Sequence, residues 1–479
     1  MQDLLLGKRT RDIFELSNRR YVECIGNQTL NEGAVLMFED VTQRVEAEAR
    51  IQHMARYDGL TGLPNRNYFE TLVRSLRASQ EKGTRAALIV IDINHFKHVN
   101  DTLGHHNGDV LLRLFAERLN SLDPQRFVTS RFGGDEFVVF VFNLRSEADV
   151  TGVMDRIMTV VTGVYDLDGD QVDIDISAGI ALEEVDRCDV GSMHIRADLA
   201  LYEAKSREDK PWSIFIDAMD TKYRGRQKLK ADLRLAIKHG EIKVVYQPIV
   251  SAQSLRVVAC EALARWEHPE LGFVPPAEFI PLAEEMGIIT DITRFVLAQA
   301  CADCLSWGDR IGVSVNLSAI DLKSSDIARD IANVLQKSGL PAHRLEVEVT
   351  ESAIISDRNK ASMVLQRLKN AGINIALDDF GTGYSSLSYL NTLPLTKVKV
   401  DRSFVRDITT DRRSLMLLRG VTQLSHELGL GVTVEGGETE EQLALIRVAA
   451  GADLVQGYLL GMPVPVEAIS TMTAKAAAR

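Results

Sequence analysis

The chain of 479 residues lacks any apolar run near the 18 or so residues that a membrane-spanning helix needs. Its start, Met1-Gln-Asp-Leu-Leu-Leu-Gly-Lys, holds three leucines before charge resumes, so no export signal is expected and the chain reads as cytoplasmic. Excess basic charge is missing too: 55 Lys and Arg against 67 Asp and Glu leave a net charge of −12. A nucleic-acid polymer is therefore excluded as a partner, because its phosphate backbone demands a basic surface. An acidic site loaded with metal can still hold a small phosphorylated ligand. Cysteine is sparse, at five residues, which suits a reducing compartment. The close pair Cys301 and Cys304 falls in a helix-like segment, Phe295 to Trp307, and with no second pair to complete a site it reads as buried packing.

What is present is ordinary globular composition, 45% hydrophobic and 25% charged, on a chain long enough for two or three domains. Residues 11 to 40 carry three β-like runs, Arg11 to Leu16, Tyr21 to Ile25 and Ala34 to Phe38, which together make a thin core. From Val41 to Tyr57 the residues favour helix, with Val41, Val45, Ile51 and Met54 as an incomplete apolar seam. That helix reads either as a dimerising signalling element or as a linker. The phrase Phe38-Glu39-Asp40-Val41-Thr42 before a charged helix resembles the end of a PAS sensor domain, which implies a partial PAS-like remnant over 1–40.

Residues 58–217 alternate strand and helix patterns. Ala86 to Asp92 is a buried strand ending in a carboxylate, and Arg131-Phe-Gly-Gly-Asp-Glu-Phe137 sets two glycines and two acids where a hairpin would turn. Together these can gather carboxylates over a metal and a triphosphate, with the glycines admitting the nucleotide close to backbone. The segment resembles a GGDEF diguanylate cyclase domain along its length: Asp58-Gly-Leu-Thr-Gly-Leu-Pro-Asn-Arg66, Asp92 to Asp109 and Gly133-Gly-Asp-Glu-Phe137 match its motifs. The resemblance implies that Asp92 and Asp135 hold Mg²⁺ and that Glu136 sits beside the attacking hydroxyl. It also implies that Asn100 and Asp109 read guanine, that Phe96 helps bind GTP, and that Lys97 and Lys205 meet phosphates. Two departures stand out. Ser206-Arg-Glu-Asp-Lys210 replaces the family's Gly-Arg-Asn phrase, and Pro124 and Phe127 replace the Arg and Asp of its product-inhibition motif. His105 and His106 read as a loop leading into a helix and not as metal ligands. Residues 218–228 read as a linker, and the basic run Lys222 to Lys230 as a solvated helix face.

From 229 to 479, short apolar strands alternate with helices in the rhythm of an α/β barrel. Eight strand-like runs finish on polar groups, among them Gln247, Glu261, Asn316, Glu348, Asp378 with Asp379, Asp401, Glu435 and Gln456. In a parallel barrel those ends open on one face, so the groups would converge. Glu261, Asn316, Glu348, Asp378 and Asp379 are hard oxygen ligands that suit Mg²⁺ or Mn²⁺. Two such ions about 4 Å apart favour attack on a phosphodiester, with Lys399 to offset charge and Glu435 to accept a proton. The whole segment resembles the EAL family of cyclic di-GMP phosphodiesterases, through Glu261-Ala-Leu-Ala-Arg-Trp266, Asn316-Leu-Ser318, Glu348-Val-Thr-Glu351, Asp378 to Ser386, Lys399-Val-Asp401, Glu435-Gly-Gly-Glu438 and Gln456-Gly-Tyr458. That likeness implies that Gln247, Leu263, Arg265, Asp401 and Gln456 contact the dinucleotide and that Glu351 anchors the loop from Phe380 to Ser386, which supports metals and dimer packing. Gly437 stands where the family commonly has an aliphatic residue.

The expected protein is a homodimeric enzyme of cyclic di-GMP turnover with a GGDEF α/β domain ahead of an EAL (β/α)8 barrel. Two alternatives stay open: a GGDEF domain that binds GTP only to regulate the barrel, and a receptor that binds cyclic di-GMP without hydrolysing it.

Overall fold

A computed structural model describes residues 11–17, 19–28, 34–80, 83–207, 210–324, 326–355, 357–381, 390 and 392–477. The chain packs as two compact units, 1–225 and 226–479. Residues 218–228, expected as a linker, lie within a helix, Asp217–Ala236. Its cations find carboxylates, Lys222 with Glu203 in the first unit and Arg226 and Lys230 with Glu285 in the second.

The first unit opens on a three-stranded antiparallel sheet of β1 (Arg11–Glu15), β2 (Tyr21–Gln28) and β3 (Ala34–Asp40), then a helix over Thr42–Arg56. Of the expected apolar seam, Val41 is buried, whereas Ile51 and Met54 are 61% and 67% exposed. A second sheet contains β4 (Arg85–Ile93), β5 (Phe127–Gly133), β6 (Glu136–Leu144), β9 (Ile176–Glu184) and β10 (Trp212–Ile214) in the order β10-β9-β4-β6-β5. Between β6 and β9 lies a separate hairpin, β7 (Gly163–Leu167) and β8 (Asp170–Ile174). β4 is apolar from Ala86 to Ile91 because both its faces are covered there. Ala87, Ile89 and Ile91 pack with Leu111, Phe115 and Ile157, while Ala86, Leu88 and Val90 pack with Phe69, Val73 and Met193. The helix Phe96–Asn120 breaks at Gly104, whose φ of +86° no helical residue adopts, and the exposed His105 and His106 follow that break.

The second unit is a closed barrel of eight strands: β11 (Ile242–Ser251), β12 (Val257–His268), β14 (Gly312–Leu317), β15 (Leu345–Thr350), β16 (Asn374–Phe380), β17 (Lys397–Val400), β18 (Gly431–Glu435) and β19 (Leu454–Gln456). The order is β11-β19-β18-β17-β16-β15-β14-β12, closed by β11 against β12, with a short β13 (Gly272–Val274) added outside β12. The expectation of eight parallel strands needs one correction, because β11 runs antiparallel to both β12 and β19. Gln247 and Glu261 also lie inside their strands and not at the ends. They still meet, because the β11–β12 register sets them directly opposite each other.

Alternation along the parallel strands divides two environments. Val313, Val315, Val347, Val349, Val398, Val400, Val432 and Val434 join the apolar core. The intervening Ser314, Asn316, Glu346, Glu348, Lys397, Lys399, Thr433 and Glu435 take the opposite face, towards the barrel axis. Among the described residues no helix is long and apolar enough to cross a membrane.

Candidate active site

At the barrel mouth, the ammonium of Lys399 stands at the centre of four carboxylates. Its Nζ lies 2.6 Å from Glu348, 2.7 Å from Glu435, 3.1 Å from Asp378 and 3.5 Å from Glu261. Asn316 Nδ2 donates to Glu261 Oε1 at 2.8 Å, and Gln456 Nε2 donates to Glu261 Oε2 at 2.7 Å and to Gln247 Oε1 at 3.3 Å. All eight barrel strands thus contribute to one hydrogen-bonded group. Two neighbouring aspartates can share the mouth because β16 bulges after Leu377 and Asp379 takes a left-handed φ of +53°. Gly381 extends the turn at φ +98°, and a Cβ there would stand 2.2 Å from the ring of Phe404. Beside the charged group, Leu263, Arg265 and Asn316 line a cavity of about 540 Å³ whose far wall is Ile280, Ile292 and Val296.

Electrostatics sort the acids. Burial pushes the Glu435 carboxyl up to about 7 against the pull of Lys399. Burial and the Glu261 charge push Glu348 well above the carboxylate range, and burial and Asp378 raise Asp379. Glu261 goes the other way: burial would raise it, but Lys399, Gln456 and Asn316 outweigh burial and keep it ionised. Asp401 is likewise held low, because bonds from Ser403 outweigh burial. Lys399, despite its burial, is held firmly protonated by the surrounding carboxylates.

In the first unit the β4–β6 register places Glu136 opposite Asp92. Gly134 turns the hairpin between β5 and β6 at φ +53°, and Arg131 clamps that turn by donating to the Gly134 carbonyl at 2.7 Å and to Asp58 at 2.8 Å. Burial raises the Asp92 carboxyl, the charges of Asp135 and Glu136 add to the rise, and Lys205 opposes it from 2.7 Å. A cavity of about 490 Å³ is lined there by Asp92, Lys205, Arg207 and Lys210. Asn100 folds over Gly108, where a Cβ would meet its Oδ1 at 2.0 Å and the ring of Phe96 at 3.4 Å, while Lys97 and Asp109 are exposed.

These two sites match known domains. Residues 55–211 match the family described as diguanylate cyclase, GGDEF domain, and residues 230–463 match the EAL domain. A Mycobacterium tuberculosis protein with no function in its name is 33% identical over 441 residues, 91% of this chain and 70% of its own length. The chain belongs to the GGDEF–EAL family. In Pseudomonas aeruginosa, the cyclic di-GMP phosphodiesterase NbdA is 36% identical over 90% of this chain and 55% of its own length. The bifunctional diguanylate cyclase/cyclic di-GMP phosphodiesterase MucR, from the same organism, is 34% identical over 89% of this chain and 63% of its own. The chain spans about half the length of the first curated relatives it matches, 51–55%.

Within the EAL domain, the residues singled out by sequence come together at one mouth: Gln247, Glu261, Asn316, Glu348, Asp378, Asp379, Lys399, Glu435 and Gln456, with Leu263 and Arg265 in the adjoining cavity. Asp401 lies just past β17, close enough for its charge to act on Asp379. Glu351 is buried at the head of the short helix Glu351–Ile355, but most of the loop it was expected to anchor, residues 382–386, lies outside the described residues. A Cβ on Gly437 would find Val455 and Ile446 at ordinary contact distances, so a methyl group fits there without a clash. Within the GGDEF domain, sequence reasoning missed four residues. Arg207 and Lys210 reach the Asp92 cavity from the stretch that departs from the Gly-Arg-Asn phrase, and His194 and Asp198 stand behind Glu136. The charge of Arg207 was legible, whereas a histidine in the helix Val190–Lys205 carries no local signal of its contact with β6.

Proposed function

We propose that the EAL domain hydrolyses cyclic di-GMP to linear pGpG. The observation that carries this reading is the meeting of Glu261, Asn316, Glu348, Asp378 and Asp379 around Lys399 at one barrel mouth. This donor set fits Mg²⁺ or Mn²⁺: every donor is a hard oxygen, and Glu348 Oε1 is buried with no hydrogen-bond partner among the described residues. Two such ions would be held by these five residues, and when bound they supply Lewis acidity towards the phosphodiester oxygens. The protein's own groups do the rest. Gln247, Gln456 and Asp401 hold the sugar-phosphate ring, and Leu263 and Arg265 seat a base in the neighbouring cavity. Lys399 keeps the carboxylates at their spacing and offsets charge that builds on phosphate. Glu435, poised near neutral pH, accepts the proton of the attacking water as the water oxygen bonds to phosphorus and the ester oxygen leaves. The relatives named as cyclic di-GMP phosphodiesterases support this choice of substrate.

The GGDEF domain, over 58–217, is proposed to condense two GTP into cyclic di-GMP. In this reading Asp92 and Asp135 hold Mg²⁺, Glu136 faces the attacking hydroxyl, and Phe96, Asn100 and Asp109 receive guanine. Lys97, Lys205, Arg207 and Lys210 are available to the phosphates. One observation favours a second reading, a GTP-binding regulator: Lys205 already pairs with Asp92 at 2.7 Å. The protein is further proposed to act as a cytoplasmic homodimer, with 1–40 as a PAS-like remnant and 229–479 as the EAL domain. Supplying cyclic di-GMP and GTP separately and identifying the products tests both activities.

A further inference from the structure

Outside the residues already assigned, one buried histidine joins two carboxylates in the GGDEF domain. His194 is 9% exposed, on the helix Val190–Lys205. Its Nε2 lies 2.8 Å from Glu136 Oε1, and its Nδ1 lies 3.3 Å from Asp198 Oδ2, one helical turn further on. One face of the ring stacks on Phe132, at 5.0 Å between centroids and 22° between planes, and Arg66 lies 5.3 Å from that phenyl ring. These three acid and imidazole side chains are close enough together to suggest a shared cation. The contacts argue otherwise, because the imidazole stands between the two carboxylates with a nitrogen turned to each. A carboxylate only accepts, so Nε2 donates to Glu136 Oε1, while Nδ1 lies within ion-pair reach of Asp198; the nitrogen nearest Glu136 is thus engaged in a hydrogen bond and not with a metal.

Glu136 leads β6 directly opposite Asp92, so its carboxylate stands where the nucleotide chemistry of this domain is placed. A glutamate has three side-chain torsions, and a half-exposed one with no fixed partner samples many positions. We propose that His194, itself fixed by Asp198 and Phe132, is the positioning residue for Glu136: it holds that carboxylate towards the hydroxyl that attacks GTP. The role in turnover rests on the proposed cyclase activity. The hold on the Glu136 side chain does not.

The test uses the full chain carrying Glu261→Ala, so that product is not hydrolysed. Adding His194→Ala should lower kcat for cyclic di-GMP formation roughly 10–100-fold, the usual cost of losing a supporting hydrogen bond behind a site residue, with KM for GTP within about twofold. His194→Gln, which keeps an N–H donor near the Nε2 position, should recover most of the loss. Equal loss in both variants, a matching rise in KM, or no loss would overturn the proposal. A crystal structure of His194→Ala supplies the arm that does not depend on turnover. Glu136 displaced or spread over several rotamers supports the proposal, and Glu136 unmoved overturns it. If the Glu261→Ala parent makes no cyclic di-GMP, the cyclase reading fails, and the Glu136 position in that crystal still decides the role of His194.

Discussion

Lys399 Nζ stands 2.6 Å from Glu348 Oε2 with the two side chains 1% and 0% exposed, so an ammonium and a carboxyl group are held in contact inside the barrel. Such a pair contributes little net stability, because desolvation offsets most of the attraction. Losing one partner is costly. Lys399→Met leaves Glu348, Glu261 and Asp378 facing one another and should destabilise the metal-free protein by about 3–5 kcal/mol. Urea denaturation in the presence of a chelator checks this, and added Mg²⁺ should recover part of the loss. A variant as stable as the parent would show that the carboxylates do not depend on the lysine.

The acids predict a pH dependence of definite sign. Glu435 is raised from its ordinary 4.5 to about 7, chiefly by burial. A carboxyl with a raised folded pKa stabilises the fold fully below about 4.5, and that contribution is lost as pH rises through about 7. Metal-free protein should therefore lose on the order of 3 kcal/mol over that window. Glu348, shifted in the same direction, adds to the fall. Denaturant midpoints across this range should decline without divalent metal and decline less with it. A flat or rising profile in chelator contradicts the assignment.

Asp378→Ala should abolish hydrolysis, falling at least 100-fold, by removing a proposed metal ligand. Turnover of cyclic di-GMP by the variant, at equal folded fraction, is the measurement. Unchanged turnover would remove Asp378 from the site.

Gly381→Ala should be destabilising by about 1–3 kcal/mol, since the new Cβ would enter the Phe404 ring at a backbone φ of +98°. Pairing it with Phe404→Ala relieves the clash but not the backbone strain, so thermal denaturation should show partial recovery. Full recovery would mean that the φ carries no cost.

Much of this fold was legible because its strands carry strong patterns. The buried run of β4 and the polar alternation of the barrel strands are readable one strand at a time. The direction of β11 was not, since Val244 to Gln247 has the same pattern whichever way the strand runs, and only its pairing with Glu261 fixes it. The barrel acids stood out because carboxylates ending apolar strands are costly without a purpose. His194 did not, because its partner Glu136 lies 58 residues away and the contact depends on how a helix crosses the sheet. Burial of Lys399 was hidden for a similar reason: a lysine reads as exposed until four carboxylates from other strands surround it.

The barrel mouth is proposed to cleave cyclic di-GMP. The direct test incubates the full chain with cyclic di-GMP, first with chelator and then with Mg²⁺ or Mn²⁺, and identifies the product by chromatography. Linear pGpG that forms only with metal, and not in Glu261→Ala, is the result predicted. Binding of cyclic di-GMP without any pGpG at saturating metal would contradict it and make the barrel a receptor.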